Sequence, residues 1–177
     1  MVQFRCIIKQ SGILILLMAI HSILNGESMA NHLDDSIYIW NDKYEGIVFN
    51  GDSPPQLEIP DSLRLEITES DIVIAEAIIY KYLKKNRHKT KFRSNQGSEN
   101  CPVIFPNLDN YYRQYYGMID SEGQRIIKII FFWKNDDWGT DWRKNLISIW
   151  GGCSTFWVIS VDMDRKKCFD FHVNGMD

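Results

Sequence analysis

The sequence has few of the residue patterns that usually reveal an enzyme. It contains four cysteines and four histidines in 177 residues, and no two cysteines form a paired Cys motif. It also lacks a glycine-rich phosphate loop and a nucleophile elbow. We therefore assign no catalytic residue, and we expect neither a cofactor nor a metal.

The chain also lacks an excess of positive charge. It has 20 Lys and Arg residues against 23 Asp and Glu residues, which gives a formal net charge of −3. General nucleic-acid binding favours a basic domain, so no nucleic-acid partner is expected. Its composition, with 45% hydrophobic and 24% charged residues, is typical of a globular protein, and its length fits one domain.

The apolar run nearest the amino terminus is too short to span a bilayer comfortably. This run, residues 12–20, follows Arg5 and Lys9 and precedes a small-x-small sequence at residues 28–30. Together these are the three parts of a secretory signal peptide. We predict cleavage after Ala30, a secreted or periplasmic location and no membrane attachment after cleavage. A buried amino-terminal helix, with Met29 as an alternative start, is the other interpretation.

Cleavage would leave three cysteines, Cys101, Cys153 and Cys168, which is an odd number for an oxidising compartment. If the last hairpin turns at residues 163–166, Val161 faces Cys168 and Cys153 lies roughly 25 Å away along the strand. This distance excludes a bond between Cys153 and Cys168, and leaves Cys101 as the plausible partner for either. Three reduced thiols are the alternative.

Residues 68–85 have the pattern of a long amphipathic helix. Thr68 fits an N-cap, with Asp71 in the capping-box position. Acidic residues begin the segment and lysines end it, which opposes the helix macrodipole. Apolar residues form a broad stripe at helical spacing and continue beyond it, so we expect cover on more than one side. The stripe contains Ile72, Ala75, Ile78, Ile79, Tyr82 and Leu83, extended by Val73, Ile74 and Ala77.

Most of the remaining chain is predicted to form strands and turns. Residues 31–62 are interpreted as an extended segment with short strand-like pieces at 37–40 and 46–49. Further strands are predicted at 63–67, 110–119, 124–133, 146–150, 153–161 and 167–173. Gly151 and Gly152 indicate a bulge or a sharp bend.

The alternation of the last predicted strand orients its side chains. Phe169, Phe171 and Val173 are expected to face the helix, with Phe156 and Val158 of the preceding strand on the same side. The same register places His172 opposite Trp157. Cys168 and His172 are four residues apart, about 13 Å along a strand, which is too far for a nucleophile and its base.

This order of elements predicts an α+β fold, in which one long helix packs against a curved antiparallel four- to five-stranded meander, a cystatin-like roll. The predicted organisation is a signal peptide at 1–30, an extended amino-terminal segment at 31–62 and an α+β roll domain at 63–177.

Four segments also carry a resemblance. They read TESDIVIAE at 68–76, YRQYYG at 112–117, GGCSTF at 151–156 and DFHVNG at 170–175. They resemble parts of small uncharacterised secreted bacterial proteins, and the order of segments is similar to that of cystatin-like and nuclear-transport-factor-2-like rolls. The resemblance implies a fold and export but no mechanism. The Gln-x-Val-x-Gly motif of the cystatin inhibitors is absent.

The stretch WKNDDWGTDW at residues 133–142 is the most unusual in composition. Tryptophan is enriched at interfaces because it combines a large apolar area with a polar group. The candidate binding residues are therefore Trp133, Trp138, Trp142, Asp137 and Asp141. The carboxylates lack the spacing of a Ca²⁺ loop. The alternative is that these rings cap the open end of the roll.

These observations favour a secreted, non-catalytic binding module with a protein or glycan partner. Two alternatives stay open at this point: an enzyme with a pocket in the mouth of the roll, and a toxin-neutralising protein of the immunity type. The sequence identifies neither the partner nor the oligomeric state.

Overall fold

The structure, a computed structural model, describes residues 32–33, 36–51, 56–89 and 101–175. The predicted signal peptide lies outside these residues. The described part contains eight strands and one 18-residue helix. Their bounds are β1 His32–Leu33, β2 Ser36–Trp40, β3 Glu45–Phe49, β4 Arg64–Leu65, α1 Glu69–Asn86, β5 Tyr111–Ile119, β6 Arg125–Trp133, β7 Phe156–Asp162 and β8 Lys167–Val173. No helix among the described residues has the length and apolar character needed to cross a membrane.

The strands form one mixed sheet in the order β1-β2-β3-β5-β6-β7-β8. The neighbours are antiparallel except for β3 and β5, which run parallel, with Glu45 beside Tyr112 and Phe49 beside Tyr116. The short strand β4 pairs antiparallel with the carboxyl-terminal part of β5, where Leu65 faces Gly117. Strand β5 therefore has two successive partners, β3 and β4, besides β6.

The predicted roll, a helix on a four- to five-stranded antiparallel meander, is wrong. The observed fold is dominated by a larger mixed sheet, because the pieces at residues 37–40 and 46–49 are strands of that sheet. Parallel neighbours are joined through a long connection, so local alternation does not reveal the pairing of β3 with β5. The strand predicted at 146–150 is also absent, and that segment is irregular.

Helix α1 begins where the sequence predicts. Thr68 Oγ1 accepts a hydrogen bond from the Asp71 amide at 3.3 Å, and the Asp71 carboxylate accepts one from the Thr68 amide at 3.1 Å. The buried apolar side chains are Ile72, Ala75, Ile79 and Leu83. The expectation of cover on more than one side is wrong, because Val73 and Ile74 are 59% and 44% exposed.

Both faces of the sheet are covered. On the helix side, Ile72, Ile79 and Leu83 of α1 belong to a core that also contains Tyr111, Tyr115, Phe131 and Trp157 of the sheet. On the opposite side, a second core contains Phe49, Tyr116, Phe132, Trp142 and Phe156. Because the central strands are buried on both faces, β5 and β6 carry large side chains at nearly every position.

The hairpin of β7 and β8 follows the predicted register only near its turn. Val161 faces Cys168 and Asp162 faces Lys167, as predicted, but a bulge between Val158 and Ser160 shifts the pairing by one residue. Beyond it, Trp157 faces Val173 and Val158 faces His172, so the predicted pairing of Trp157 with His172 is wrong.

A one-residue shift exchanges the faces of a strand, and this explains the errors nearby. Phe171 and Val173 pack against the helix-side core as predicted, but Cys168 takes the inward position expected of Phe169, which is 39% exposed. Phe156 and Val158 pack on the opposite side of the sheet, which contradicts their prediction. Asp170 has a left-handed φ of 48° at the irregularity.

A disulfide joins Cys101 to Cys153, whose Cα atoms are 5.9 Å apart. Cys168 carries a free, half-buried thiol. The exclusion of a Cys153–Cys168 bond is confirmed, and Cys101, the plausible partner for either cysteine, is bonded to Cys153. The alternative of three reduced thiols is wrong. The bridge links the segment before β5 to the turn before β7, where Ser154 Oγ donates a hydrogen bond to the Pro102 carbonyl at 2.5 Å.

Candidate functional site

A cleft of about 420 Å³ lies at the edge of β5 where β3 ends and β4 begins. Strand β3 pairs with β5 up to Tyr116, opposite Phe49, and β4 pairs from the next residue, Gly117, opposite Leu65, so the ends of the two strands meet beside the cleft. Five apolar side chains line it, namely Ile37, Phe49, Leu57, Ile59 and Leu65. Asn50, Arg64, Glu66 and Tyr116 add polar groups to it.

Gly117 permits the close approach of β4 that forms one wall of the cleft. A Cβ atom at this position would clash with the Leu65 carbonyl oxygen and would lie 2.9 Å from Cγ1 of Ile67. Since the carbonyl belongs to the backbone, a side chain at residue 117 would force β4 away from β5. Glycine inside a strand often marks such an approach of another backbone.

Hydrogen bonds hold the walls of the cleft together. Arg64 donates from Nε to the Ile59 carbonyl at 2.9 Å and from a terminal guanidinium nitrogen to the Gly51 carbonyl. Asn50 donates to the Ile67 carbonyl at 3.1 Å and accepts from the Ile67 amide at 2.9 Å. These contacts connect the end of β3, the segment before β4 and the start of α1, so the cleft is built on a fixed frame.

Tyr116 is the polar group in this lining that is best placed to bind a ligand. The residue is only 8% exposed, and its hydroxyl has no hydrogen-bond partner among the residues that the structure describes. Burial raises the pKa of Tyr116 to about 12. The hydroxyl therefore stays protonated at neutral pH and can donate a hydrogen bond to an acceptor in the cleft.

The side chain of Gln114 holds the long connection between β6 and β7 against the sheet. Gln114, which is fully buried, donates from Nε2 to the carbonyls of Trp142 and Asn145 at 2.6 and 2.7 Å. Its Oε1 accepts from the Ile147 amide at 2.8 Å. One side chain thus satisfies three backbone groups of a segment without regular secondary structure.

The structure separates the three tryptophans of the sequence-predicted site. Trp133 packs on the helix side, with its ring centroid 5.0 Å from that of Tyr111. Trp138 and Trp142 lie on the opposite side, where their centroids are 5.4 and 5.7 Å from that of Phe132. The three rings do not form one continuous surface.

The two rings that pack against Phe132 are both at least partly buried. Trp142 is 7% exposed; Tyr112 stacks on it at 4.5 Å between centroids, and the Arg143 guanidinium lies 4.4 Å from the ring centroid. Trp138 is half-buried, and its indole nitrogen donates to the Trp133 carbonyl at 2.9 Å. In this arrangement the rings cover the second core.

The two aspartates of the predicted site are exposed and stabilise turns. Asp137 accepts a hydrogen bond from the Gly139 amide at 2.9 Å, and Asp141 accepts one from the Arg143 amide at 3.1 Å. Across the described ranges, no three His, Cys, Asp or Glu side chains are grouped as metal ligands would be.

Cys168 and His172 lie on opposite faces of β8. Cys168 packs against the helix-side core, and burial raises the pKa of its thiol to about 12. His172 is exposed and pairs with Val158 of the second core. A thiol that stays protonated and lies away from the imidazole is not an activated nucleophile.

The sequence interpretation missed the cleft because its lining comes from distant segments. Ile37, Ile59 and Tyr116 approach one another only after β3 and β4 have paired with β5. One local signal was present, since Gly117 interrupts a strand of bulky residues. It predicts that another backbone passes nearby, without saying which one.

Comparisons with protein-family models, with curated proteins and with solved structures find no match to this chain. The resemblance of the four segments to secreted bacterial proteins therefore stays a prediction.

Proposed function

We propose that this chain is a secreted, non-catalytic binding module that uses the cleft between β3 and β4 to bind an apolar side chain of a protein partner. The observation that carries the proposal is a cleft of about 420 Å³ lined by five apolar side chains and by Tyr116, whose hydroxyl has no hydrogen-bond partner within the described part of the chain. This volume lies in the usual range of binding pockets, and a few polar groups in such a pocket fix the orientation of the ligand.

The lining favours a protein partner over a glycan. An aliphatic side chain would contact Leu57, Ile59 and Leu65, and a neighbouring backbone carbonyl would accept a hydrogen bond from Tyr116. Sugar binding by stacking needs an accessible aromatic face, whereas the Trp142 ring of the predicted site is 7% exposed and is covered by Tyr112 and Arg143. The cleft therefore matches a peptide segment better than a carbohydrate.

Tyr116 and Arg64, two of the polar groups of the cleft, are suited to binding rather than to acid–base chemistry. General acid–base catalysis at neutral pH needs a group whose pKa lies near the operating pH. Burial raises the pKa of Tyr116 to about 12, far from that range. Arg64 is engaged with the carbonyls of Ile59 and Gly51 and so serves the wall of the cleft.

Secretion is supported by the predicted signal peptide and by the disulfide. Structural disulfides persist mainly in oxidising compartments, and the Cys101–Cys153 bond joins two segments of the fold. Expression in an exporting bacterial host, followed by intact mass, tests this part. We expect the mature chain to start at Asn31; a mature chain that still carries residues 12–20 would contradict secretion by this route.

The cleft is tested with N-acetyl-leucine methylamide, which offers one aliphatic side chain and two amide carbonyls. We expect binding in about the millimolar range for so small a probe, with NMR shifts at the amides of Asn50, Leu65 and Gly117. Leu57→Trp, which fills the cleft, should abolish these shifts. Leu63→Trp is the matched control, because Leu63 lies in the same segment but outside the lining.

Tyr116→Phe tests the hydrogen bond separately. It removes the hydroxyl and keeps the ring, so we expect affinity to fall about fivefold, the usual size for one hydrogen bond. Shifts scattered over the surface, or shifts that persist in Leu57→Trp, would refute the cleft as the site.

A further inference from the structure

The solvent-facing side of α1 carries an apolar stripe that the cleft does not use. Val73, Ile74 and Tyr80 are 59%, 44% and 51% exposed, and Ala77 is exposed between them. At 100° per residue these four positions fall within an arc of about 120° on the side opposite the buried stripe. Exposed apolar side chains grouped on one helix face indicate an interaction surface.

The spacing of the stripe suits another helix. Val73, Ala77 and Tyr80 are separated by four and then three residues, which is the spacing of the contact positions in paired helices. Ala77 stands in the middle, and its small side chain allows two helix backbones to approach closely.

The charges on α1 indicate which helix packs against this stripe. Its first turn carries Glu69, and its last two turns carry Lys81, Lys84 and Lys85. A parallel pair of α1 helices would place lysines beside lysines. An antiparallel pair places the acidic start of one helix beside the basic end of the other, and it also opposes their dipoles.

We propose that two copies of this chain associate through antiparallel α1 helices, with Ala77 on the two-fold axis. In this register Ile74 meets Tyr80 of the second copy, and Glu69 meets Lys85 of the second copy. Val73 lies against the aliphatic part of Lys81 from the second copy, whose ammonium group stays in water. The stripe of one copy thus packs against the same stripe of the second copy. This is the self-complementary arrangement that a two-fold axis requires.

The area buried between the two α1 helices is small. An 18-residue helix is about 27 Å long, and one pair of helices buries less than the area of about 800 Å² per partner that is standard for stable complexes. We therefore expect a dissociation constant on the order of micromolar, which makes the mass concentration-dependent.

Sedimentation of the full exported chain over a range of concentrations tests self-association. Ala77→Arg should raise the dissociation constant at least tenfold and leave the melting temperature unchanged, because Ala77 is exposed. Ser121→Arg adds the same charge in the exposed loop between β5 and β6 and should change neither quantity. A wild-type chain that stays monomeric to about 1 mM, or a dimer that survives Ala77→Arg, overturns the proposal.

Oxidative cross-linking tests the orientation. Ala77→Cys should form a disulfide-linked dimer, whereas Lys85→Cys should not link to itself, because the two thiols would lie about 24 Å apart along the helix axes. A mixture of Glu69→Cys and Lys85→Cys chains should form the mixed dimer, identified by intact mass. Self-linking of Lys85→Cys without a mixed dimer would show a parallel pair and overturn the antiparallel arrangement. Binding of a helix from another protein without self-association would also overturn it.

Discussion

Arg113 of β5 and Glu76 of α1 form an ion pair inside the protein, with Nε of Arg113 2.9 Å from Oε1 of Glu76. Arg113 is 1% exposed, and its other guanidinium nitrogens donate to the carbonyls of Tyr111 and Leu108. The Tyr115 hydroxyl donates to the same Glu76 oxygen at 2.7 Å. The pair therefore joins the helix to the centre of the sheet.

Removal of one member of this pair should destabilise the protein strongly. Arg113→Met keeps most of the side-chain volume but leaves Glu76 without its cation, so we expect a loss of about 3–5 kcal/mol in the free energy of unfolding. Replacing both residues, as in Arg113→Met with Glu76→Leu, should recover much of it, because no charge then stays buried.

Urea unfolding of the two single variants and the double variant measures the coupling. The single variant Arg113→Met also removes two hydrogen bonds to carbonyls, so recovery will be incomplete. A double variant as unstable as the sum of the two single variants would show that the residues act independently, against this interpretation.

Gln114→Glu should detach part of the connection between β6 and β7. The carboxylate cannot donate to the carbonyls of Trp142 and Asn145, and a charge would be buried beside two carbonyl oxygens. We expect a loss of about 2–4 kcal/mol, together with a red shift of tryptophan fluorescence as Trp142 gains contact with water. Gln124→Glu, in the loop before β6, is the control and should cost less than about 0.5 kcal/mol. Equal stability of the two variants would contradict the anchoring role.

Local rules predicted the features of this fold that depend on neighbouring residues. The capping box of Thr68 and Asp71 depends on residues three apart, and the pairing of Asp162 with Lys167 depends on one turn. The length of a strand was enough to exclude a bond between Cys153 and Cys168, but it did not decide which of these two cysteines Cys101 joins.

Pairings between distant segments were not predictable in this way. The parallel contact of β3 with β5 joins residues more than sixty positions apart, and the cleft exists only because β4 replaces β3 along β5. The irregularity at Asp170 is local, yet the additional residue that it places in β8 leaves no pattern in the sequence. That residue reverses which side chains of the strand face the helix. The candidate site was missed for the same reason.

High pH should destabilise the fold partly through Tyr116. Its folded-state pKa is about 12, above the ordinary value of 10.0, so the folded state holds its proton more tightly. This tighter binding of the proton contributes up to about 2–3 kcal/mol to the free energy of unfolding. The contribution is fully present below about pH 10 and is lost as the pH rises towards 12. Tyr116→Phe should flatten this part of the pH dependence, measured by urea unfolding between pH 9 and 12. An unchanged slope would show that Tyr116 titrates normally. Tyr111, Tyr115 and Cys168 also have raised pKa values, so part of the slope persists in the variant.

The binding site that the sequence predicts at residues 133–142 is tested by comparing substitutions of Trp138 and Trp150. Trp138 is half-buried, lies 5.4 Å from Phe132 between ring centroids and donates to the Trp133 carbonyl, whereas Trp150 is 96% exposed. Trp138→Ala should therefore lower the free energy of unfolding by about 2–4 kcal/mol through lost packing, and Trp150→Ala should change it by less than about 0.5 kcal/mol. Thermal melting of both variants measures the difference before any partner is known. A Trp138→Ala variant as stable as the wild type would mean that the ring does not support the second core, and would restore this loop as the first candidate for partner binding.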